Sequence, residues 1–182
     1  MRITVPTDHS HDPYGYAARN LAPEIMQAAA GFAQAVYFDS KLSLREFEGA
    51  RARIAEINGC LICQGFRAAH DLPTFYPDAK GHATVADHGP APDEAFYHAV
   101  SQWRTSLLYS ARERLAIEFA ERFAIEPKVL ATDEAFWSKF RAVFTDAETA
   151  DLAHCVAAWL GLGRVAHVLG FDEVCIPVVH AA

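Results

Sequence analysis

The chain has 182 residues, 52% of them hydrophobic and 21% charged, with a formal net charge of -7. This balance is expected of a soluble globular domain, or of one domain plus an arm, with enough chain to bury a substantial core. It excludes a disordered chain, and the negative charge with no Lys or Arg run argues against nucleic-acid binding, which needs a basic face.

Residues 1 to 22, with His9, His11, Pro13 and Gly15 among polar residues, read as an irregular N-terminal arm; such arms drape over a neighbouring subunit or hang loose. Residues 23 to 182 read as the main domain. Pro23 opens a helix to Phe38, with Glu24 favouring its dipole and with Ile25, Ala29, Phe32 and Val36 spaced to face the core. Ser43 and Glu46 form a capping box for a helix to about Asn58, whose apolar stripe is Phe47, Ala50, Ile54 and Ile57. Asn58 and Gly59 end it, and a further helix is expected from Cys60 to about Asp71, with Pro73 and Pro77 breaking the pattern. Residues 72 to 92 read as a loop, with His82 and His88 in solvent. Asp93 is expected to cap a helix to about Trp103. Ser110 and Glu113 form a second capping box for a helix to about Ile125, with Leu115, Phe119 and Phe123 on one face and Pro127 ending it. Thr132 is expected to cap a helix from Asp133 to about Phe144. Thr145 and Glu148 form a third box for the longest helix, which ends at Leu169 with Gly170 as its cap. Small residues from Ala157 to Gly163 leave room for another helix to approach it. Ile3–Val5 and Val174–Val179 are the only strand candidates, and Pro177 weakens the second. The fold class is all-α. Trp103, Trp137 and Trp159 read as core or interface aromatics, and Cys155, His154 and His167 as groups packed or hydrogen-bonded in the core.

The four cysteines, Cys60, Cys63, Cys155 and Cys175, are too few and scattered for a secreted disulfide framework. The first residues contain no apolar signal segment, and no unbroken apolar run reaches the ~18 residues that cross a bilayer. The expected location is the cytoplasm, where a Cys-x-x-Cys pair is more often catalytic or metal-binding than structural. A zinc site would need two further ligands at short spacing; Cys155 and Cys175 lie twenty apart, and the histidines do not pair. A thioredoxin-like site would need a preceding strand. What remains is a dithiol on a helical scaffold, with two thiols at a helix start that favours thiolate, or a pair of small buried residues without chemistry.

Glu48, twelve residues before Cys60, followed by Asn58-Gly59-Cys60 and Cys63, resembles the signature of the carboxymuconolactone decarboxylase superfamily, and more narrowly its alkylhydroperoxidase D (AhpD)-like branch. The segments from Ser110 to Arg114 and from Phe144 to Glu148 resemble it too, and the likeness runs over about residues 20 to 170. It implies an AhpD-like helical bundle, assembled as a homo-oligomer. It implies an antioxidant peroxidase that needs no cofactor, reduces a hydroperoxide, and is recharged by an external dithiol, either a lipoyl carrier or a small thiol. In that scheme Cys63 is the deeper, peroxide-reducing thiol, Cys60 the more exposed resolving thiol, and Glu48 part of the proton relay. One position departs from the pattern: where the branch carries a histidine four residues after the second cysteine, this chain has Arg67, which can hold a thiolate by charge but cannot act as a base. His70 lies on nearly the same helical face as Cys63 but about 10 Å further along an unbroken helix. A relay rebuilt around His70, or around His154 or His167 from the last helix, is one consequence; loss of peroxidase activity is the other. Lactone decarboxylation, the superfamily's other chemistry, and a non-enzymatic redox-sensing or binding oligomer stand as alternatives. Residue by residue, Glu48 also reads as a surface carboxylate bridged to Arg45 or Arg51, and His70 as a helix-end cation.

Overall fold

A computed structural model describes residues 1–76 and 81–173. Among these residues every regular element is helical. Ten α-helices follow in order: α1 Pro13–Asn20, α2 Pro23–Asp39, α3 Leu44–Asn58, α4 Leu61–Gly65, α5 Ala68–Phe75, α6 Glu94–His98, α7 Ala111–Ile125, α8 Pro127–Leu130, α9 Glu134–Arg141 and α10 Asp146–Leu169. The second strand candidate, Cys175 and Pro77 lie outside the described residues.

The bundle is built around α3, which lies between α7 and α10 and buries residues on nearly every face. All three capping boxes form, at Ser43, Ser110 and Thr145. Their glutamates do more than cap. Arg112 donates to Glu46 at 2.6 Å and to Glu148 at 2.5 Å, and Arg45 donates to Glu113 at 2.6 Å. The N-termini of α3, α7 and α10 are thereby tied together by two guanidiniums at one end of the bundle. At the same end, Phe140 stacks on Phe144 with centroids 4.4 Å apart and on Phe119 at 5.3 Å.

The structure departs from the sequence expectations where tertiary contacts decide. Residues 1 to 22 are not irregular: a 3-10 turn at Thr7–His9 precedes α1, whose Pro13 takes the first helical position while Asp12 accepts the Gly15 N–H at 2.9 Å. Of the expected core stripe on α2 only Val36 is buried; Ile25 is 74% exposed, and Phe32 is exposed too. The helix after Cys60 breaks at Phe66 and Arg67, and α5 runs through Pro73 to Phe75. His88 is half-buried, its Nδ1 3.1 Å from the Leu42 carbonyl oxygen. The segment capped by Asp93 stops at His98 and continues only as a 3-10 turn, Val100–Gln102. Pro127 opens α8 rather than merely ending α7, and Asp133, not Thr132, caps α9. Cys155, Trp103 and Trp159 are buried, but His154 is exposed. α10 is long and apolar enough, by length and composition, to cross a membrane, which a search for unbroken apolar runs passes over; here it packs along α2, α3 and α7.

Phe140→Ala removes the centre of the aromatic stack and is expected to lower the unfolding free energy by about 3–5 kcal/mol in urea titration; a loss below ~1 kcal/mol would show that the stack does not hold this end together.

Candidate functional site

The opposite end of α3 carries the dithiol. Gly59 takes the left-handed conformation at φ 70° and ends the helix. The chain turns directly into Cys60, which caps α4 and accepts the Cys63 N–H on Sγ at 3.3 Å. Cys60 and Cys63 are joined as a disulfide, with Cα atoms 5.2 Å apart.

The two sulfurs have unequal surroundings. Cys60 is 0% exposed. Cys63 is half-buried and opens onto a cavity of about 230 Å³, walled by Tyr37, Phe66, Phe75, Tyr76 and Trp159. This reverses the expected order of exposure: the turn at Gly59 tucks Cys60 under the end of the bundle and leaves Cys63 facing the opening. Burial pushes the Tyr76 phenol up to about 12 and raises Tyr37 as well, so both remain neutral hydroxyls in the cavity wall.

Beneath the disulfide lies a buried ion pair. Glu48 is 0% exposed and accepts two hydrogen bonds from Arg51, at 3.0 and 2.8 Å. Arg51 also donates to the carbonyl oxygens of Cys63 and Phe66, both at 2.6 Å. These carbonyls lie at the end of α4, where no further helical N–H is available to them. Arg51 therefore supplies the donors that let the helix stop at Phe66. Burial opposes the charge on Arg51, but the Glu48 carboxylate outweighs it and holds the guanidinium protonated. The Tyr97 phenol is raised by burial and then by the Glu48 carboxylate. The alternative bridge from Glu48 to Arg51 thus forms in the interior, while Arg45 pairs with Glu113 instead.

Arg67 is not beside a sulfur. It pairs with Glu94 through two bonds at 2.9 and 2.8 Å, donates to the Gln64 and Phe66 carbonyls, and lies 3.8 Å from the Tyr97 ring centroid. It clasps the break between α4 and α5 to α6. Because the helix breaks there, the geometry that set His70 on the face of Cys63 does not exist; His70 is exposed on α5 and absent from the cavity wall.

α10 closes the other side. A Cβ on Gly163 would meet Asn58 Nδ2 at 2.6 Å and Cys63 Sγ at 3.5 Å, so only glycine allows this approach. Asn58 donates to the Trp159 carbonyl at 2.9 Å and accepts from Arg164 at 3.1 Å. His167, one turn beyond Gly163, has Nδ1 2.9 Å from Asp172 Oδ2, and the same oxygen accepts the Leu61 N–H at 3.0 Å. Burial works against the Asp172 charge, but the bonds from His167 and Leu61 prevail and hold its carboxyl below the usual range. Sequence reasoning did not single out Tyr97 or Asp172, since only the fold brings them beside Glu48 and Leu61, and it named Arg51 only as an alternative surface partner for Glu48. The spacing of Glu48 and Arg51 was the one available signal.

No family model and no curated protein matches the sequence. Solved structures do share the fold. A protein of unknown function from Agrobacterium tumefaciens, suggested to be an antioxidant defence protein AhpD, superposes with a TM-score of 0.61 at 21% identity, over 90% of this chain and 96% of that one. An uncharacterized peroxidase-related protein from Ralstonia eutropha with an alkylhydroperoxidase AhpD core gives 0.60 at 17% identity, over 93% and 90%. Another from Silicibacter gives 0.57 at 17% identity, over 93% and 87%. The chain has the all-α fold of AhpD-like proteins, as its sequence resemblance implied.

Arg51→Met leaves Glu48 buried without its cation and is expected to cost about 3–5 kcal/mol of stability. Adding Glu48→Gln should recover part of that loss; a double variant no more stable than Arg51→Met would mean the pairing itself is not what Arg51 contributes.

Proposed function

We propose that this protein is a dithiol peroxidase of the AhpD-like branch, acting on organic hydroperoxides. The observation that carries the reading is that Cys63, bonded to Cys60, opens onto an apolar, aromatic-walled cavity. In the reduced protein the Cys63 thiolate attacks the terminal peroxide oxygen. The O–O bond breaks, the alkoxide takes a proton and leaves as the alcohol, and Cys63 becomes a sulfenic acid. Cys60, ionised, attacks Cys63 Sγ; the S–O bond breaks, hydroxide leaves as water after taking a proton, and the disulfide forms. An external dithiol, a lipoyl carrier or a small thiol, then returns two electrons. Because Cys60 is enclosed, the reductant's thiolate attacks Cys63 from the cavity side, the reverse of the order expected from the resemblance. Glu48 in this reading is a positioning residue acting through Arg51, and neither Arg67 nor His70 takes part in the chemistry. The exposed apolar face of α2, with Ile25 and Phe32, supports assembly as a homo-oligomer.

The test follows peroxide loss with dithiothreitol or dihydrolipoamide as reductant. Cys63→Ser should abolish turnover. Cumene hydroperoxide should exceed hydrogen peroxide in kcat/KM by about tenfold or more, since each buried CH₂ contributes ~0.8 kcal/mol. Turnover unchanged in Cys63→Ser would overturn the proposal.

A further inference from the structure

The peroxidase reading leaves a gap, because the proton steps at Cys60 need an acid–base group and neither Arg67 nor His70 is placed to provide one. We infer that His167 and Asp172 form the proton relay that serves Cys60. The inference rests on the dithiol chemistry just proposed, though not on peroxide being the oxidant.

The pair brackets Cys60. A Cβ on Gly59, the residue before it, would stand 3.1 Å from His167 Nε2. The Leu61 N–H, the residue after it, donates to Asp172 Oδ2 at 3.0 Å. Asp172 is 0% exposed, and its other oxygen, Oδ1, is buried without a hydrogen-bond partner among the described residues. A fully buried carboxylate with a bare oxygen is costly unless its charge has a use. As a carboxylate it only accepts, so His167 Nδ1 carries the hydrogen between them, and Nε2, turned toward Gly59, is free to take or release a proton. The His167 side chain is 46% exposed, which lets that proton exchange with water. Among the described residues, the charged groups on the segments beside the pair are Arg164, which donates to Asn58, the Glu173 carboxylate, and the Met1 amino group 3.9 Å from it. From the end of α3, the neutral Asn58 bonds to Arg164 and to the Trp159 carbonyl.

During reduction, a dithiol thiolate attacks Cys63 Sγ and the Cys63–Cys60 bond breaks. The electron pair goes to Cys60 Sγ, which takes the proton from His167 Nε2. The reductant's second thiolate then displaces Cys63 as a thiolate, and the reductant leaves as its disulfide. In the oxidative half, Cys60 returns its proton to Nε2 before attacking the sulfenic acid.

Neither test uses peroxide, so failure here is distinct from failure of the peroxidase reading. The first titrates thiolate absorbance at 240 nm in Cys63→Ser, with iodoacetamide-blocked controls for Cys155 and Cys175. The Cys60 midpoint should lie below the ~8.5 of a free thiol. It should rise by about one unit when His167→Gln, which keeps an N–H for Asp172, removes the cation. Asp172→Asn, which keeps an acceptor for Leu61, should move it the same way and provides the comparison if His167→Gln does not fold. The second test measures reduction of the disulfide by dithiothreitol at neutral pH, which should slow about tenfold or more in His167→Gln. A merely structural role would lower thermal stability and leave both readouts in place. An unmoved midpoint in a folded variant, or an unchanged reduction rate, overturns the assignment.

Discussion

A buried guanidinium with four hydrogen bonds governs the arrangement of the dithiol. Arg51 reaches from the middle of α3 to its own Glu48 and to two carbonyls of the Cys-x-x-Cys segment. An interior ion pair contributes little net stability beyond what a well-packed apolar pair would. Its value here is geometric. The Cys63 carbonyl would otherwise be orphaned where α4 ends, and the Phe66 carbonyl would be left to Arg67 alone; a longer helix would have satisfied both with its own N–H groups. With Arg51 supplying the donors, α4 stays at Leu61–Gly65, the chain turns, and α5 starts in a new direction.

The turn before α4, at Gly59, gives the two bonded sulfurs their unequal surroundings. It places Cys60 under the bundle and Cys63 at the cavity, while α10 approaches through Gly163. The two ends of the bundle therefore do different work. At one, Arg45 and Arg112 bind the glutamates of three capping boxes and hold the helix starts together. At the other, a single arginine and a single glycine leave just enough space for a disulfide beside an apolar chamber.

The features legible in the sequence are those decided within one or two turns of chain. The three capping boxes, the Gly59 and Gly170 ends and the all-helical class follow from local chemistry, and they formed where the sequence put them. The dithiol and its Glu48 were legible through spacing. What was not legible depends on distant partners. The break at Phe66 was not legible because its donors are fixed by distant partners: Arg51 lies fifteen residues earlier, and Arg67 is held in place by Glu94 of α6. Hydropathy along α2 cannot tell a face turned inward from one turned outward, so Ile25 and Phe32 were misplaced. The inverted exposure of Cys60 and Cys63, and the meeting of His167 with Asp172 above Gly59, exist only once α10 has packed against α3.

Trp159 gives the site an optical consequence. It is the one tryptophan of three that walls the cavity opened by Cys63, and it meets Phe47 edge-on with centroids 4.7 Å apart. A disulfide is an efficient quencher of indole emission at short range, and a thiol is a weaker one. Trp103 lies in a separate cluster, and Trp137 packs on Phe136 and Phe140 away from the cavity wall. A fluorophore thus stands in the wall of the cavity onto which the disulfide opens, and its emission is expected to follow the fraction oxidised without a label or a coupled enzyme.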